Sequence, residues 1–242
     1  MQTGDYLLPF ILTAGIFLSV KTRKLTLPAA LTAALLGLFL YSGAGYYGIL
    51  MAAVLFLMAA LATSQKRVVK EALGAAEKNK GQRKAGQVVA NAGLAGLMGL
   101  LCFFYPPETK LLRLMMAAAL ASAAADTVAS ELGTVYGKRF YNIISLKQNQ
   151  RGLDGVISLE GTLLGVAASA IIALVYSFSF GWNFNFWLIV LAATVGNLSD
   201  SVLGATLERK GFIGNNTVNF LNTLIAAVTV SAFYFVVIYF RR

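Results

Sequence analysis

Two aspartates are the first residues in this chain that call for a chemical explanation. Asp126 and Asp200 each lie inside a long apolar run, and each is followed by a hydroxyl residue and a valine (Asp126-Thr127-Val128, Asp200-Ser201-Val202). Such echoes mark duplicated transmembrane units in some proteins. An ionisable side chain in an apolar helix costs about 2.5–3.5 kcal/mol on insertion scales, so a pair of them in separate helices points to function. The plainer reading is a hydrogen-bonded cluster that ties helices together. Further polar residues gather near the ends of the same runs. Gln87 and Asn91 are four apart and share a helical face. Glu131 follows Asp126; Ser158, Glu160 and Thr162 open another run; Asn197 and Glu208 flank Asp200. Asn215, Asn219 and Asn222 share one face if their helix begins that early.

The residue types narrow the chemistry. Histidine is absent, which excludes Ser-His-Asp and Cys-His machinery and His-ligated zinc. Cys102 is the lone cysteine and is flanked by apolar residues, so there is no disulfide framework and no CxxC site. What remains is carboxylates, amides, hydroxyls, cationic side chains and a hard metal. Mg2+ prefers one or two carboxylates, retained waters and substrate phosphates to a closed protein cage. Asp126 and Asp200 suit that pattern, with Asn197 and Asn219 as neutral oxygen ligands or as supports.

The elements that must position these residues are membrane helices. Of 242 residues, 58% are hydrophobic and only 12% charged, about half the charged share of a soluble domain. Mean hydropathy is +0.71. Apolar stretches near the roughly 20 residues a span requires run from Tyr6 to Val20, Leu25 to Ala44, Tyr46 to Thr63 and Gln87 to Tyr105. Four more run from Leu111 to Glu131, Val156 to Phe178, Phe186 to Leu207 and Phe220 to Phe240. Backbone polar groups in lipid must be satisfied internally, so these are helices. The expected fold is all-α, a polytopic bundle of about eight spans forming one membrane domain over residues 1–242. The first run is read as a retained span, because Lys21-Thr22-Arg23-Lys24 follows it and no small-residue cleavage site does.

A net charge of +10 suggests nucleic acid, but its placement does not. Alternate connections hold 16 of the 20 Lys and Arg residues, all facing one side. The positive-inside rule puts those connections in the cytoplasm and both termini outside. The exceptions are Lys110, Arg113 and the terminal Arg241–Arg242 pair, which reads as an interfacial anchor. The basic connection 64–86 carries Val68, Val69, Leu73 and Ala76 at amphipathic spacing, and reads as a short interfacial helix or as a solvated loop. Its end, Arg83, adjoins Gln87 and Asn91.

Helix direction then matters. Asp126, Glu131, Asp200 and Glu208 sit in C-terminal halves, where the macrodipole disfavours carboxylates and a compensating cation is needed. The spans beginning near Gln87, Val156 and Phe220 aim positive N-termini at the same face, an anion site. The connection 132–155 adds Lys147, Arg151, Gly152, Asp154 and Gly155. Its glycines let backbone N–H groups approach a phosphate that Lys and Arg neutralise. The same composition is also that of an ordinary cytoplasmic connector. GxxxxGK[ST] is absent from the chain, and this connection contains no GxGxxG.

Read together, these segments resemble a known family. They are Arg23-Lys-Leu-Thr26, Arg83, Gln87-Val-Val-Ala-Asn91, Ala125-Asp-Thr-Val-Ala-Ser-Glu-Leu-Gly133, Gly152-Leu-Asp-Gly-Val-Ile-Ser158 with Gly161-Thr162, Gly196-Asn-Leu-Ser-Asp-Ser-Val-Leu-Gly-Ala-Thr206 and Asn216-Thr-Val-Asn219. They are similar to the motifs of the integral membrane family that includes plant phytyl-phosphate kinase and animal transmembrane protein 19, with a more distant likeness to dolichol kinase and phosphatidate cytidylyltransferases. Glu208 stands where that family usually has Gln, and Val88-Val89 replaces the commoner Val-Leu. The resemblance implies transfer of a phosphoryl group from a nucleoside triphosphate, CTP above others, to a prenyl monophosphate. It directs attention to Asn91, Asp126, Glu131, Ser158, Asp200 and Asn219.

Phosphoryl transfer requires positioning and charge stabilisation, which Mg2+ and cationic donors supply without histidine. The expected assignment has Asp126, Asp200, Glu131 and Asn91 as catalytic residues, with Asp126 and Asp200 holding Mg2+. Arg83, Gln87, Lys147, Arg151, Gly152, Gly155, Ser158, Asn197 and Asn219 would bind substrate or nucleotide phosphates. Glu160 and Glu208 are placed at the periphery. The prenyl tail is expected between helices near the small residues Ala117 to Ala125 and Gly165 to Ala170. The expected setting is a bacterial inner membrane, the site facing the cytoplasm, with lipid, nucleotide and prenyl phosphate as partners and no nucleic acid. An intramembrane aspartyl protease also uses two Asp residues, but its GxGD is missing before Asp200. The other alternative is a transporter or lipid-binding protein with a cytoplasmic-side metal or phosphate site.

Overall fold

The computed structural model describes residues 6–74 and 81–240. Ala76, Glu77, Lys78, Lys80 and the Arg241–Arg242 pair lie outside the described residues. The chain is a bundle of helices: α1 (Leu7–Lys21), α2 (Leu27–Ser64), α3 (Arg67–Ala72), α4 (Ala85–Phe104), α5 (Thr109–Tyr136), α6 (Leu159–Phe180), α7 (Asn185–Leu203) and α8 (Asn215–Phe240). Six of these, among the described residues, are long and apolar enough to cross a membrane. One of the six, α2, accounts for two of the expected runs.

Gly45 explains this. Its backbone leaves the helical region (φ 59°, ψ −148°), which glycine alone adopts without penalty. The chain reverses there. A Cβ on Gly48 would lie 2.5 Å from the Leu40 carbonyl oxygen, whereas eight residues of straight helix span about 12 Å. Both ends of α2 also meet the same segment: Thr26 N–H donates to Arg83 O (3.1 Å), and the Thr63 methyl is 3.2 Å from where a Gly81 Cβ would stand. Residues 27–44 and 46–64 are therefore two antiparallel arms.

At the centre is α5, ringed by α2, α4, α8, α7 and α6. Its stretch from Ala117 to Ala125 is at most 1% exposed. Small side chains are what let five neighbours close on one helix. Along the α5–α6 crossing, Ala125, Ala129 and Gly133 face Gly161 and Gly165; an added Cβ on Gly161 would meet Ala129 O at 2.9 Å, and one on Gly165 would meet Ala125 O at 3.0 Å. The stretches expected to line a prenyl tail are thus largely closed packing seam, because residues that small are consumed in bringing backbones together.

Three boundaries differ from the expected runs in ways that shape the site. Val156–Ile157 is not helical but pairs antiparallel with Tyr141–Asn142. Gly155, at φ 69°, turns the chain there, and Ser158 caps α6 by accepting from Gly161 N–H (3.1 Å). After Leu203 the chain winds on as a π-turn through Gly204–Glu208. Helix α8 begins at Asn215, five residues earlier than its apolar run, so Asn215, Asn219 and Asn222 do lie along one face.

Candidate functional site

A cleft of about 250 Å3 opens at the end of the bundle where α4, α6 and α8 begin and α5 and α7 approach their ends. Asp126 and Asp200 line it from α5 and α7, and their carboxyl groups are within hydrogen-bonding reach of each other. First-turn residues of three helices also face it: Gln87, with Asn91 one turn deeper, from α4; Gly161 and Thr162 from α6; Asn215, with Asn219 one turn deeper, from α8. The cleft thus joins two C-terminal carboxylates to three positive helix ends.

Arg83 is brought to the rim by its backbone. Its N–H donates to Lys24 O (2.9 Å) and its carbonyl accepts from Thr26 N–H, a bridge between the start of α2 and the approach to α4. Gln82 reinforces it by donating from Nε2 to Leu25 O (3.1 Å). The Arg23-Lys-Leu-Thr26 segment and Arg83, distant in sequence, are therefore one unit, and the Arg83 guanidinium attracts Asp126 across the cleft. Gln87 Oε1 accepts from Lys84 N–H (2.9 Å), fastening the start of α4.

Of the residues singled out in the sequence, Asn91, Asp126, Glu131, Arg83, Gln87, Gly152, Gly155, Ser158, Asn197, Asp200 and Asn219 line the cleft; Lys147 and Arg151 do not. Their connection folds as a compact turn, with Asn142 Oδ1 accepting from Ile144 and Ser145 N–H (both 3.0 Å), and it leaves Lys147 exposed. Gly155 also serves packing: a Cβ there would fall 2.5 Å from Ser201 O, so the loop presses on the end of α7. Glu160 lies outside the cleft and accepts from Lys138 N–H (3.3 Å), as a peripheral residue should. Glu208, expected beside it at the periphery, lines the cleft, because the π-turn carries it round to the side of Asp126 and Asp200.

Glu131 is fully engaged. Its Oε1 accepts from Thr63 Oγ1 (2.9 Å) and its Oε2 pairs with Lys70 Nζ (2.5 Å). Lys70 is only 1% exposed and also donates to Ala62 O and Thr63 O, both at 2.9 Å. In the sequence Lys70 is one more loop cation, and its bond to Glu131 is not legible there. The one available signal was a lysine on the inward side of an amphipathic stretch. Ser122 and Asn222, beneath the aspartates, were equally unassigned.

The charge balance of the cleft is decisive. Five carboxyl residues line it, Asp126, Glu131, Asp154, Asp200 and Glu208, against two cations, Lys70 and Arg83, the first already paired with Glu131. A phosphate here would meet this negative excess as well as the positive helix ends. No group of three or more His, Cys, Asp or Glu among the described residues is arranged to hold an ion alone. Two facing carboxyl groups with a phosphate partner fit Mg2+, which takes few protein ligands.

The fold and this cleft define a polytopic helical membrane protein with a one-sided polar site. The chain belongs to the integral membrane protein family DUF92, whose profile matches residues 10–227. It is 36% identical over 198 residues to an uncharacterized membrane protein of Synechocystis sp., covering 79% of this chain and 76% of that one. It is 33% identical over 201 residues to the chloroplastic protein VTE6 of Arabidopsis thaliana, covering 80% of this chain and 60% of VTE6. An uncharacterized membrane protein of Methanocaldococcus jannaschii is 29% identical over 213 residues, 86% of this chain and 85% of the relative. No solved structure matches.

Proposed function

We propose that the protein is a membrane kinase that transfers the terminal phosphoryl group of a nucleoside triphosphate, with CTP the expected donor, to a prenyl monophosphate. The resemblance of its motifs to the phytyl-phosphate kinase family supports this reading. The observation that carries it is the facing of Asp126 and Asp200 in a cleft onto which three helix N-termini open. In the reaction, an oxygen of the prenyl phosphate attacks the γ-phosphorus. The bond from that phosphorus to the β,γ-bridging oxygen breaks, and nucleoside diphosphate leaves with the bond's electrons. A phosphate monoester is largely dianionic near neutral pH, so no strong base is needed.

Asp126 and Asp200 would hold Mg2+, which when bound neutralises the transferring phosphates and the charge developing on the leaving group. Arg83 offers positive charge from the rim, and the first turns of α4, α6 and α8 offer backbone dipoles. The cleft faces the cytoplasm on this reading, where nucleotide is available, as the basic connections at this end require.

A transporter is the rival, but the far half of α5 is closed: Leu114, Met116 and Leu120 are 0% exposed. The test is to give the purified protein CTP, Mg2+ and phytyl or geranylgeranyl monophosphate, and to measure CDP and prenyl diphosphate. Equal amounts of both products are expected. Absence of both with every prenyl phosphate and nucleotide tried would refute the proposal.

A further inference from the structure

One turn below the two aspartates lies a second polar layer. Ser122 precedes Asp126 by four residues on α5, Gly196 precedes Asp200 by four on α7, and Asn222 follows Asn219 by three on α8, so each pair shares a helix face. Ser122 is 0% and Asn222 1% exposed, buried in an otherwise alanine-rich core. The Ser122 hydroxyl donates to Asn222 Oδ1 in a short hydrogen bond and also approaches Ala193 O (3.3 Å). Asn222 Nδ2 in turn donates to Asp200 Oδ1 at 3.4 Å.

The direction of these bonds matters. An asparagine amide has one accepting and one donating end. Because Ser122 supplies a donor to Oδ1, the amide is turned so that its donor meets Asp200. One oxygen of Asp200 is thus occupied from below, which leaves the other for the partner carboxyl and the cleft. Gly196 makes the arrangement possible: a Cβ there would overlap Ser122 Oγ and stand 2.8 Å from Asn222 O. Both groups are hydrogen-bonded, so removing either partner leaves a buried polar group unsatisfied.

We propose that Asn222 is a positioning residue that orients the Asp200 carboxylate toward the cation site, with Ser122 setting the orientation of its amide. The proposal rests on the kinase reading for its turnover test and on the aspartate pair alone for its binding test. Asn222→Leu removes the donor at similar size. Ser122→Ala removes the group that orients the amide and fits the surrounding alanines, so it serves as the variant that keeps its fold.

Both are measured for thermal stability, for kcat and KM toward prenyl phosphate, and for binding of Mn2+ alone by electron paramagnetic resonance. The expected result is about tenfold weaker Mn2+ binding and at least tenfold lower kcat for Asn222→Leu, a smaller loss in the same direction for Ser122→Ala, and prenyl phosphate KM within about twofold. A merely structural role would lower stability and all activity together without moving the Mn2+ titration. Folded variants with unchanged Mn2+ binding overturn the proposal. If the wild type binds Mn2+ but transfers no phosphoryl group, the kinase reading fails and the Mn2+ titration still decides the role of Asn222. A wild type that binds no Mn2+ overturns the proposal.

Discussion

Lys70→Met should be among the most damaging single changes outside the aspartate pair. Lys70 Nζ makes three bonds, to Glu131 Oε2 (2.5 Å) and to Ala62 O and Thr63 O (2.9 Å each), and none is exposed enough for water to replace it cheaply. Methionine fills a similar volume but strands the Glu131 carboxylate, whose side chain is 11% exposed, with only the Thr63 hydroxyl as partner. Breaking a buried pair from one side costs about 3–5 kcal/mol. The Thr63 bond stays, so a loss of about 3 kcal/mol is expected. Glu131→Gln is milder, because Lys70 keeps both carbonyls; one charged hydrogen bond corresponds to about 1.5–3 kcal/mol. Lys70→Met with Glu131→Gln should recover about 2 kcal/mol of the summed losses, since no charge is then stranded. Unfolding in mixed detergent–SDS micelles, followed by helical circular dichroism, measures all four proteins. A Lys70→Met loss below about 1 kcal/mol, or additive singles, would refute the buried latch.

Asp126→Asn and Asp200→Asn should each lower turnover by at least about 100-fold while leaving the melting temperature unchanged or raised, since one of two facing carboxylates loses its charge; turnover and melting in detergent check this. Glu160→Ala should retain turnover within about twofold, whereas Glu208→Ala, lining the cleft, should fall about tenfold; steady-state rates separate them. Gly155→Ala should cost about 1–3 kcal/mol through its positive φ alone, and more through the clash with α7, seen as a lower melting temperature. A Lys147→Cys probe should resist a membrane-impermeant maleimide added to intact cells and react after permeabilisation; native Cys102 is buried and gives a low background. Labelling in intact cells would reverse the proposed orientation.

Hydropathy made the bundle legible because lipid imposes one rule on every span. Each of the eight apolar runs holds a helix, including the pair divided at Gly45, although Val156–Ile157 at the start of one is a strand. The aspartate pair was legible for the same reason: a carboxylate in an apolar run stands out. Charge composition misled elsewhere. Lys147 and Arg151 look like phosphate ligands in sequence, yet solvent-facing loop cations satisfy the same orientation rule without touching the cleft. Lys70, from an equally basic connection, turned inward because a helix C-terminus and Glu131 offered it acceptors. Periodicity cannot show this, since it depends on where α2 and α5 end relative to each other. The Ser122–Asn222 layer escaped notice likewise: a serine among alanines reads as packing until Gly196 brings a third helix against it.

The direction of the helices bears on the proposed cation site. A carboxylate near a helix C-terminus meets the negative end of the dipole, so Asp200, near the end of α7 at Leu203, is disfavoured by its own helix, and Asp126 and Asp200 disfavour each other. The structure relieves little of this from within. Asn222 donates to one oxygen of Asp200, Arg83 attracts Asp126, and Glu208 and Asp154 add like charge beside them. Meanwhile the N-termini of α4 and α8 present positive ends with no acidic residue in their first turns, while α6 has Glu160 in its own. The positive helix ends and the carboxylates offset each other only in part, since five carboxyl residues face two cations. A divalent cation bound to phosphates carries both missing charges in one ligand, so such a complex should bind far more tightly than either part. Titrating Mn2+ with and without CTP tests this: the two should raise each other's affinity by the same factor, as linkage requires. Independent binding would show that the carboxylates and the helix ends serve separate purposes.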